Sequence, residues 1–405
     1  MKPGIPRLGQ KPEGWVETTF GNALKEVQRP AKLYDDHLYQ LVIAKRSRGG
    51  IVARDRLYGR DISTPTQFYI VAGDFLISKR QIIHGACGIV PIELDGAVVS
   101  NEYCTLQPKV DLDVAFLNYF CHTNYFQQTC FHASVGVDVE KMIFRLSEWF
   151  KYLVYLPPLS EQRAIAAILS TWDEAITLTE RLIAALRQRK QALMQMLLTG
   201  EVRFPGFEGK WRRMTLEETT KTMESGGTPS TQTKEFWDGN IPWITGADFE
   251  DQKVSQVRRY ITAEAVEKSS TKVVSKSNIL LVTRTGVGKM ALAPFDIAIS
   301  QDITGIAPKR EIINPEYLIS YLSWTIPQLA RFNQGTSING ITRDDLKVHE
   351  VMVPFLDEQE KITDVLKING SQIEKLKQIL ISLQIEKRGL MQQLLTGTIR
   401  VQVKE

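Results

Sequence analysis

PPLSEQRAIAAIL at residues 157–169 returns as PFLDEQEKITDVL at 354–366, and LMQMLLTG at 193–200 returns as LMQQLLTG at 390–397. Adding 197 to a position in the first copy gives its partner in the second, with no gap. Glu161 and Gln162 map onto Glu358 and Gln359, Lys190 onto Lys387, and Arg203 onto Arg400. An internal repeat fixes the architecture before any local reading, because each copy must be the same structural unit.

Each copy reads as one long helix. Pro158 and Pro354 precede it and bias their neighbours away from helix. Ser160 and Asp357 suit the N-cap, with acidic residues just inside the first turn. Gly200 and Gly397 suit the terminating position. Between these ends the apolar period is about 3.5. The first copy carries the seams Leu169, Ile176, Ile183, Lys190, Leu197 and Ile165, Trp172, Thr179, Leu186, Leu193. The second carries Leu366, Ile373, Leu380, Lys387, Leu394 and Ile362, Asn369, Leu376, Leu383, Leu390. Sustained heptads predict a coiled coil. From Ser160 to Leu198 a helix runs roughly 58 Å at about 1.5 Å per residue, long for a core helix of a single globule. Lys190 and Lys387 interrupt the stripe at matched places, where their stems can lie on the seam and their ammonium groups reach water.

Working outward, the chain has 405 residues, room for two or three domains. With 43% apolar and 24% charged residues it has ordinary globular composition. A net charge of +4 permits nucleic-acid binding without requiring it. No run of 18 apolar residues predicts a membrane span, and MKPGIPRLGQKPEGW lacks the apolar core of a signal peptide, so the expected location is cytoplasmic. Cys87, Cys104, Cys121 and Cys130 all fall in the first half without a CxxC pair. They read as buried thiols of a reducing compartment rather than as a zinc site.

The repeat divides the chain into a first domain (1–156), a first helix (157–200), a second domain (201–353), a second helix (354–397) and a tail (398–405). In the first domain, strands are predicted at 38–44, 67–71 and 74–78, and an amphipathic helix at 113–123. Residues 45–60, KRSRGGIVARDRLYGR, hold six basic residues and one acidic, and read as a loop able to follow phosphates. In the second domain, Lys210-Trp211 echoes Gly14-Trp15. The stretch ESGGTPSTQTKEFWDGNIPWITGADF at 224–249 joins a Gly-Gly turn to Thr228, Ser230, Thr231, Thr233, Lys234, Trp237 and Trp243. Hydroxyls and loop amides suit phosphate oxygens, and the aromatics can brace the loop. A strand at 279–282 runs into TRTGVGK at 283–289, and a helix at 315–323 matches the one at 113–123.

Three apparent motifs fail on inspection. A nucleotide loop ending at Gly288-Lys289 needs Gly at 283 and Ser or Thr at 290, where Thr283 and Met290 stand. Asn314-Pro315-Glu316-Tyr317 has Glu316 where an amino-methyltransferase motif has proline, and reads as a helix start. Asp344-Asp345-Leu346-Lys347 has part of a nuclease spacing without a partner acid. No catalytic constellation is legible.

The paired PPLSEQ/PFLDEQ and LLTG helices, alternating with two domains, resemble the specificity subunit of type I restriction–modification enzymes. GDFLISK, GACGIVP and ELDGAVVSNEY are similar to one class of target recognition domain in that family. GGTPSTQTKEFWDGNIPWIT and LLVTRTGVGKMA are similar to another. The resemblance covers essentially the whole chain. It implies an α+β fold in which two mixed α/β recognition domains alternate with two long helices, the helices pairing as an antiparallel coiled coil about a pseudo-two-fold axis. It also implies a subunit without catalysis, reading one half of a split double-stranded DNA target with each domain. Two methylation subunits would dock on the helices and restriction subunits would join them. S-adenosylmethionine, ATP and Mg²⁺ would belong to those partners, with no cofactor in this chain. The two domains differ in sequence, so the half-sites are expected to differ.

Candidate DNA contacts are Lys45, Arg46, Arg48, Lys79 and Arg80 in the first domain, and Thr228, Ser230, Lys234, Arg284, Thr285 and Lys289 in the second. Glu161, Gln162, Glu358 and Gln359 recur beside unlike domains and are candidate partner contacts. Competing readings are the recognition module of another phage-defence system and a coiled-coil adaptor that binds only proteins.

Overall fold

A computed structural model describes residues 8–64, 66–109, 111–250, 252–333 and 340–402. Residues 1–7 of the N-terminal stretch and 403–405 of the tail lie outside these. Both repeats are single helices, Leu159–Thr199 and Leu356–Leu395. They begin two residues earlier than the cap pattern predicts, so Ser160 and Asp357 lie inside the first turn rather than at the N-cap. The Gln162 N–H already donates to the Pro158 carbonyl at 3.0 Å, and the Gln359 N–H to Phe355 at 3.0 Å. Gly200 and Gly397 end the helices in the left-handed region, at φ 74° and 71°.

The chain forms two compact units: residues 1–179 with 379–405, and residues 180–378. Each unit holds one domain and part of both long helices. In the first, Ile165 and Leu169 share a core with Leu394 and Leu395. In the second, Leu197 and Leu198 share a core with Ile362 and Leu366. A fully buried Leu or Ile contributes about 1.5–3 kcal/mol, so the helices are integral to both domain cores. Within the first unit Glu161 meets Arg400 and Asp173 meets Lys387; within the second Arg203 meets Glu358. Numbers rise along one helix as they fall along the other, so the pairing is antiparallel. The seam lysine Lys387 is held by Asp173, whose other oxygen accepts the Tyr119 hydroxyl at 2.8 Å.

The two domains share one plan despite their unlike sequences. In the first, a sheet runs in the order Leu24–Glu26, Tyr103–Pro108, Phe75–Ser78, Cys87–Ile89. In the second, the matching order is Thr220–Ser225, Ile303–Pro308, Ile279–Val282, Met290–Leu292. A further sheet in each has one parallel pairing, Leu38–Ala44 beside Val98–Ser100 and Ile241–Ile244 beside Ile297–Ile299. The rest of each sheet is antiparallel. Aromatics fill the first core, where Phe20 stacks on Trp149 with centroids 4.1 Å apart. The four cysteines are free and buried. Among the described residues, no helix is long and apolar enough to cross a membrane.

Three local readings change. Residues 45–60 are mostly not a loop: Ile51–Tyr58 is a strand paired with Leu38–Ala44, leaving only a turn at 45–50. Ile51 and Val52 lead the chain into that ladder, and β-branched residues favour a pleated surface. The helix expected at 315–323 continues to Asn333. The helix expected at 113–123 is Val114–Phe120, capped by the Asp113 carboxylate on the Phe116 N–H at 2.9 Å.

Candidate nucleic-acid interface

The shared plan brings the same turns together in both domains. Leaving the sheet, the Lys79 N–H donates to the Glu102 carbonyl and the Thr283 N–H to the Asp302 carbonyl, each at 2.8 Å. The carbonyls of Lys79 and Thr283 accept from Phe144 and Ile341, each at 2.9 Å. Arg80 and Arg284 therefore occupy the same place in the two domains. Ser100-Asn101-Glu102 likewise matches Ser300-Gln301-Asp302. In each triplet the serine hydroxyl accepts the N–H two residues on, at 3.4 and 3.3 Å.

In the second domain the Gly-Gly turn is packed too tightly for side chains. A Cβ on Gly226 would lie 2.0 Å from the Ile299 carbonyl oxygen. Trp243 Nε1 donates to the Gly227 carbonyl at 3.1 Å and Trp237 Nε1 to the Ser230 carbonyl at 3.0 Å. The indoles meet edge to face, and Arg259 lies 4.5 Å over the Trp243 ring. The aromatics brace the loop and leave Thr228, Ser230 and Lys234 exposed. The Thr228 hydroxyl donates to the Gln301 side-chain carbonyl, tying this loop to the 300–302 turn. Arg284 and Thr285 are exposed, and the Arg284 guanidinium has no hydrogen-bond or ion-pair partner among the described residues. Lys289 is exposed but points its ammonium at the carbonyls of Gly246 and Phe249, each 3.3 Å away.

The first domain gathers its candidates around the 45–50 turn, where most are tethered. Arg46 reaches Gln81 at 2.8 Å and Glu140 at 3.0 Å. Arg48, at φ 59°, turns inward to the Cys121 carbonyl at 2.9 Å and Gln127 at 2.7 Å, so its guanidinium locks the turn onto the helices behind it. Lys79 donates to the Asn101 carbonyl at 2.7 Å. Arg80 forks onto Glu102 at 2.6 and 3.1 Å. Of these five, only the exposed Lys45 has no side-chain partner among the described residues. The counterpart of the GGTPST loop is 27–32, VQRPAK, which follows the matching strand. The Val27 N–H donates to Thr105 as the Gly226 N–H donates to Ile303. Spatial neighbours that the sequence reading missed are Gln28, Asn101 and Gln301. The available signal was the Ser-amide-acid triplet, SNE and SQD, placed alike in both halves.

The Glu-Gln pairs are not exposed docking contacts, and that expectation is corrected. All four side chains are buried. Glu161 is gripped by Arg400 and Glu358 by Arg203, and Glu358 also accepts Trp211 Nε1 at 3.0 Å. Gln162 accepts the Asp113 N–H at 2.8 Å and donates to the carbonyls of Asp111 at 2.9 Å and Pro157 at 2.8 Å. Gln359 repeats this with Asn314 at 2.7 Å, Ile312 at 3.0 Å and Pro354 at 2.9 Å. They recur because each domain hangs from its helix by the same clamp. Among otherwise polar exposed positions, the helices also expose aliphatic side chains: Leu178, Ile379, Ile381 and Ile385 in the first unit, Leu182 and Ile368 in the second.

The sequence matches the family described as type I restriction modification DNA specificity domain over residues 48–188 and 208–384. It is 32% identical over 218 residues to the type I restriction enzyme EcoR124I/EcoR124II specificity subunit of Escherichia coli, covering 51% of each chain. The chain spans between 37% and 59% of the length of three curated relatives it matches. Its fold is similar to the crystal structure of the HsdS subunit from Thermoanaerobacter tengcongensis, with a TM-score of 0.56 and 22% identity over 96% of this chain and 99% of that one. A chain from a structure described as underlying complex assembly and conformational transition of the type I R-M system gives a TM-score of 0.64, also at 22% identity, covering 96% of this chain and 100% of that one.

Proposed function

The chain belongs to the type I restriction–modification DNA specificity family, and from that premise we propose that it is the DNA sequence-specificity subunit of such a complex. Each domain reads one half of an asymmetric, bipartite double-stranded DNA target. The observation that carries this is one turn constellation built twice on one plan and filled with different residues. The second domain presents Thr228, Ser230, Lys234, Arg284 and Thr285, whereas the first presents Lys45 with Arg46, Lys79 and Arg80 at its rim. A single scaffold with two surfaces suits two different half-sites, with phosphate contacts positioning and base contacts specifying.

The chain itself performs no chemistry in this reading. Methylation subunits dock on the exposed aliphatic faces of the long helices, and restriction subunits join that core. S-adenosylmethionine, ATP and Mg²⁺ are bound by those partners, and the complex works in the cytoplasm. The test is to assemble the chain with its methylation partners and map the methylated positions it produces. A split, asymmetric motif is the expected result. Methyl transfer by the chain alone, or an assembled complex whose DNA binding is insensitive to salt, would overturn the reading.

A further inference from the structure

We propose that Asn101 and Gln301 are the adenine-reading residues of the two domains. The inference rests on the functional reading above and deepens it by assigning a base to a side chain. The two residues hold one position in the shared plan. Each follows a serine whose hydroxyl caps the turn, and each precedes an acid whose carbonyl anchors the neighbouring loop. Both are exposed.

The chemistry of that position is the same in both domains, although the residues around it differ. A primary amide carries a donor and an acceptor side by side. That pair matches the N6 donor and N7 acceptor of adenine in the major groove, which Asn and Gln recognise bidentately. Gln301 is already oriented: the Thr228 hydroxyl holds its carbonyl oxygen, which keeps a second lone pair, and its amide nitrogen has no hydrogen-bond partner among the described residues. Thr228 is thus a positioning residue. In the first domain the Lys79 ammonium holds the Asn101 backbone carbonyl at 2.7 Å, fixing the turn while leaving the side-chain amide without a partner among the described residues. Asn101 borders a small hollow with Gln28 and Lys79, so a base edge that meets Asn101 lies beside a cation able to take the adjoining phosphate. Arg80 and Arg284 flank the two amides at equivalent places and are the natural phosphate or guanine contacts on either side.

The test uses the assembled modification complex. Methylated motifs are mapped for the wild type and for Gln301→Ala, Gln301→Glu, Asn101→Ala, Asn101→Asp and Thr228→Val. The two acids keep shape and turn hydrogen bonding, so they guard against loss of fold. Changes at Gln301 should relax one adenine position in one half-site, and changes at Asn101 one adenine position in the other, with the spacer unchanged. Thr228→Val should relax the same position as Gln301→Ala, more weakly. Where a variant no longer modifies DNA, competition binding decides. Replacing that adenine by 7-deazaadenine should weaken the wild-type complex roughly 5- to 150-fold and leave Gln301→Ala unaffected. Unchanged motifs in every variant, or relaxation at a base other than adenine, would overturn the assignment. A wild-type complex that yields no bipartite motif would overturn the functional reading instead.

Discussion

Arg400 forks onto the buried Glu161 carboxylate through two contacts of 2.8 Å, closing a loop of chain 239 residues long. Arg203 does the same to Glu358 at 2.9 and 2.8 Å. Arg400 also donates to the Glu13 carbonyl as Arg203 donates to Gly209, so the N-terminal segment and the tail together rebuild the joint that is continuous at 203–211. The clamp is therefore a property of the fold rather than of one linker.

Removing Arg400 should expose how much this clamp matters. Arg400→Ala leaves a buried carboxylate unpaired, and the expected loss is about 3 kcal/mol, at the low end because the guanidinium is partly exposed. Burial alone would push the Glu161 carboxyl up. The Arg400 guanidinium and the Val401 N–H outweigh it and hold the carboxyl below its ordinary value. A depressed folded pKa gives stability that is present above the unfolded value, about 4.3, and is lost as pH falls through the folded one. Denaturation midpoints against pH should therefore fall on the acid side in the wild type and more shallowly in Glu161→Gln. Equal acid slopes in the two proteins would contradict this.

Gln162→Ala removes three hydrogen bonds, two of them between the first helix and its domain, and leaves their backbone partners unsatisfied. The expected cost is about 2–3 kcal/mol in chemical denaturation. Gln359→Ala should cost a similar amount in the second unit. Folded protein that remains should still assemble with its partners, because these amides face inward. Normal stability with lost assembly would restore the docking role.

The exposed aliphatic residues make the opposite prediction. Ile381→Glu with Ile385→Glu should leave the unfolding free energy within about 1 kcal/mol of the wild type, since each exposed substitution usually costs no more than about 0.5 kcal/mol. Assembly with methylation subunits, followed by gel filtration, should be weakened. Intact assembly would move the docking face elsewhere on the helices.

Arg284 and Arg80 hold equivalent places and should not behave equally. Arg284 is unpaired among the described residues, whereas Arg80 is held by Glu102. Arg284→Ala should weaken DNA binding by the complex by about 1–3 kcal/mol at one half-site if it reads guanine, or reduce the salt slope by about one if it grips phosphate. Arg80→Ala should have the smaller effect, and Glu102→Ala should release Arg80 and strengthen non-specific binding. Equal losses from the two arginine variants would refute this asymmetry.

Much of the architecture was legible because it is periodic. The repeat gave both long helices to within one or two residues, and the seams Leu169, Ile183, Leu366 and Ile373 are buried as the heptads require. The matched plan of the two domains was not legible, since strand order is set by pairing across distant segments, and VQRPAK shows little likeness to GGTPST. The Glu-Gln pairs misled for a physical reason. Polar residues repeated beside unlike domains look like a shared exposed surface, yet burial with full hydrogen bonding produces the same pattern. Arg48 misled similarly: its charge is visible in sequence, but its left-handed backbone and inward guanidinium are not.

The antiparallel register determines how a change of spacer must be made. Lengthening one helix alone would draw Leu197 and Leu198 from the core they fill and slide the seams past each other. Duplicating one heptad in both helices, residues 176–182 and 378–384, preserves the heptad phase of the seam residues Ile176, Thr179, Leu380 and Leu383. Seven residues add about 10 Å to each helix at about 1.5 Å per residue, and two turns are nearly complete, so each domain keeps its facing to within about 20°. At about 3.4 Å per base pair, the preferred spacer between half-sites should grow by about three base pairs. Both half-site sequences should remain as they were, because no recognition turn is touched. Methylation mapping of the double insertion reads both quantities at once. A longer spacer with unchanged half-sites is the expected result. An unchanged spacer in a folded, active complex would show that the helices do not set the distance.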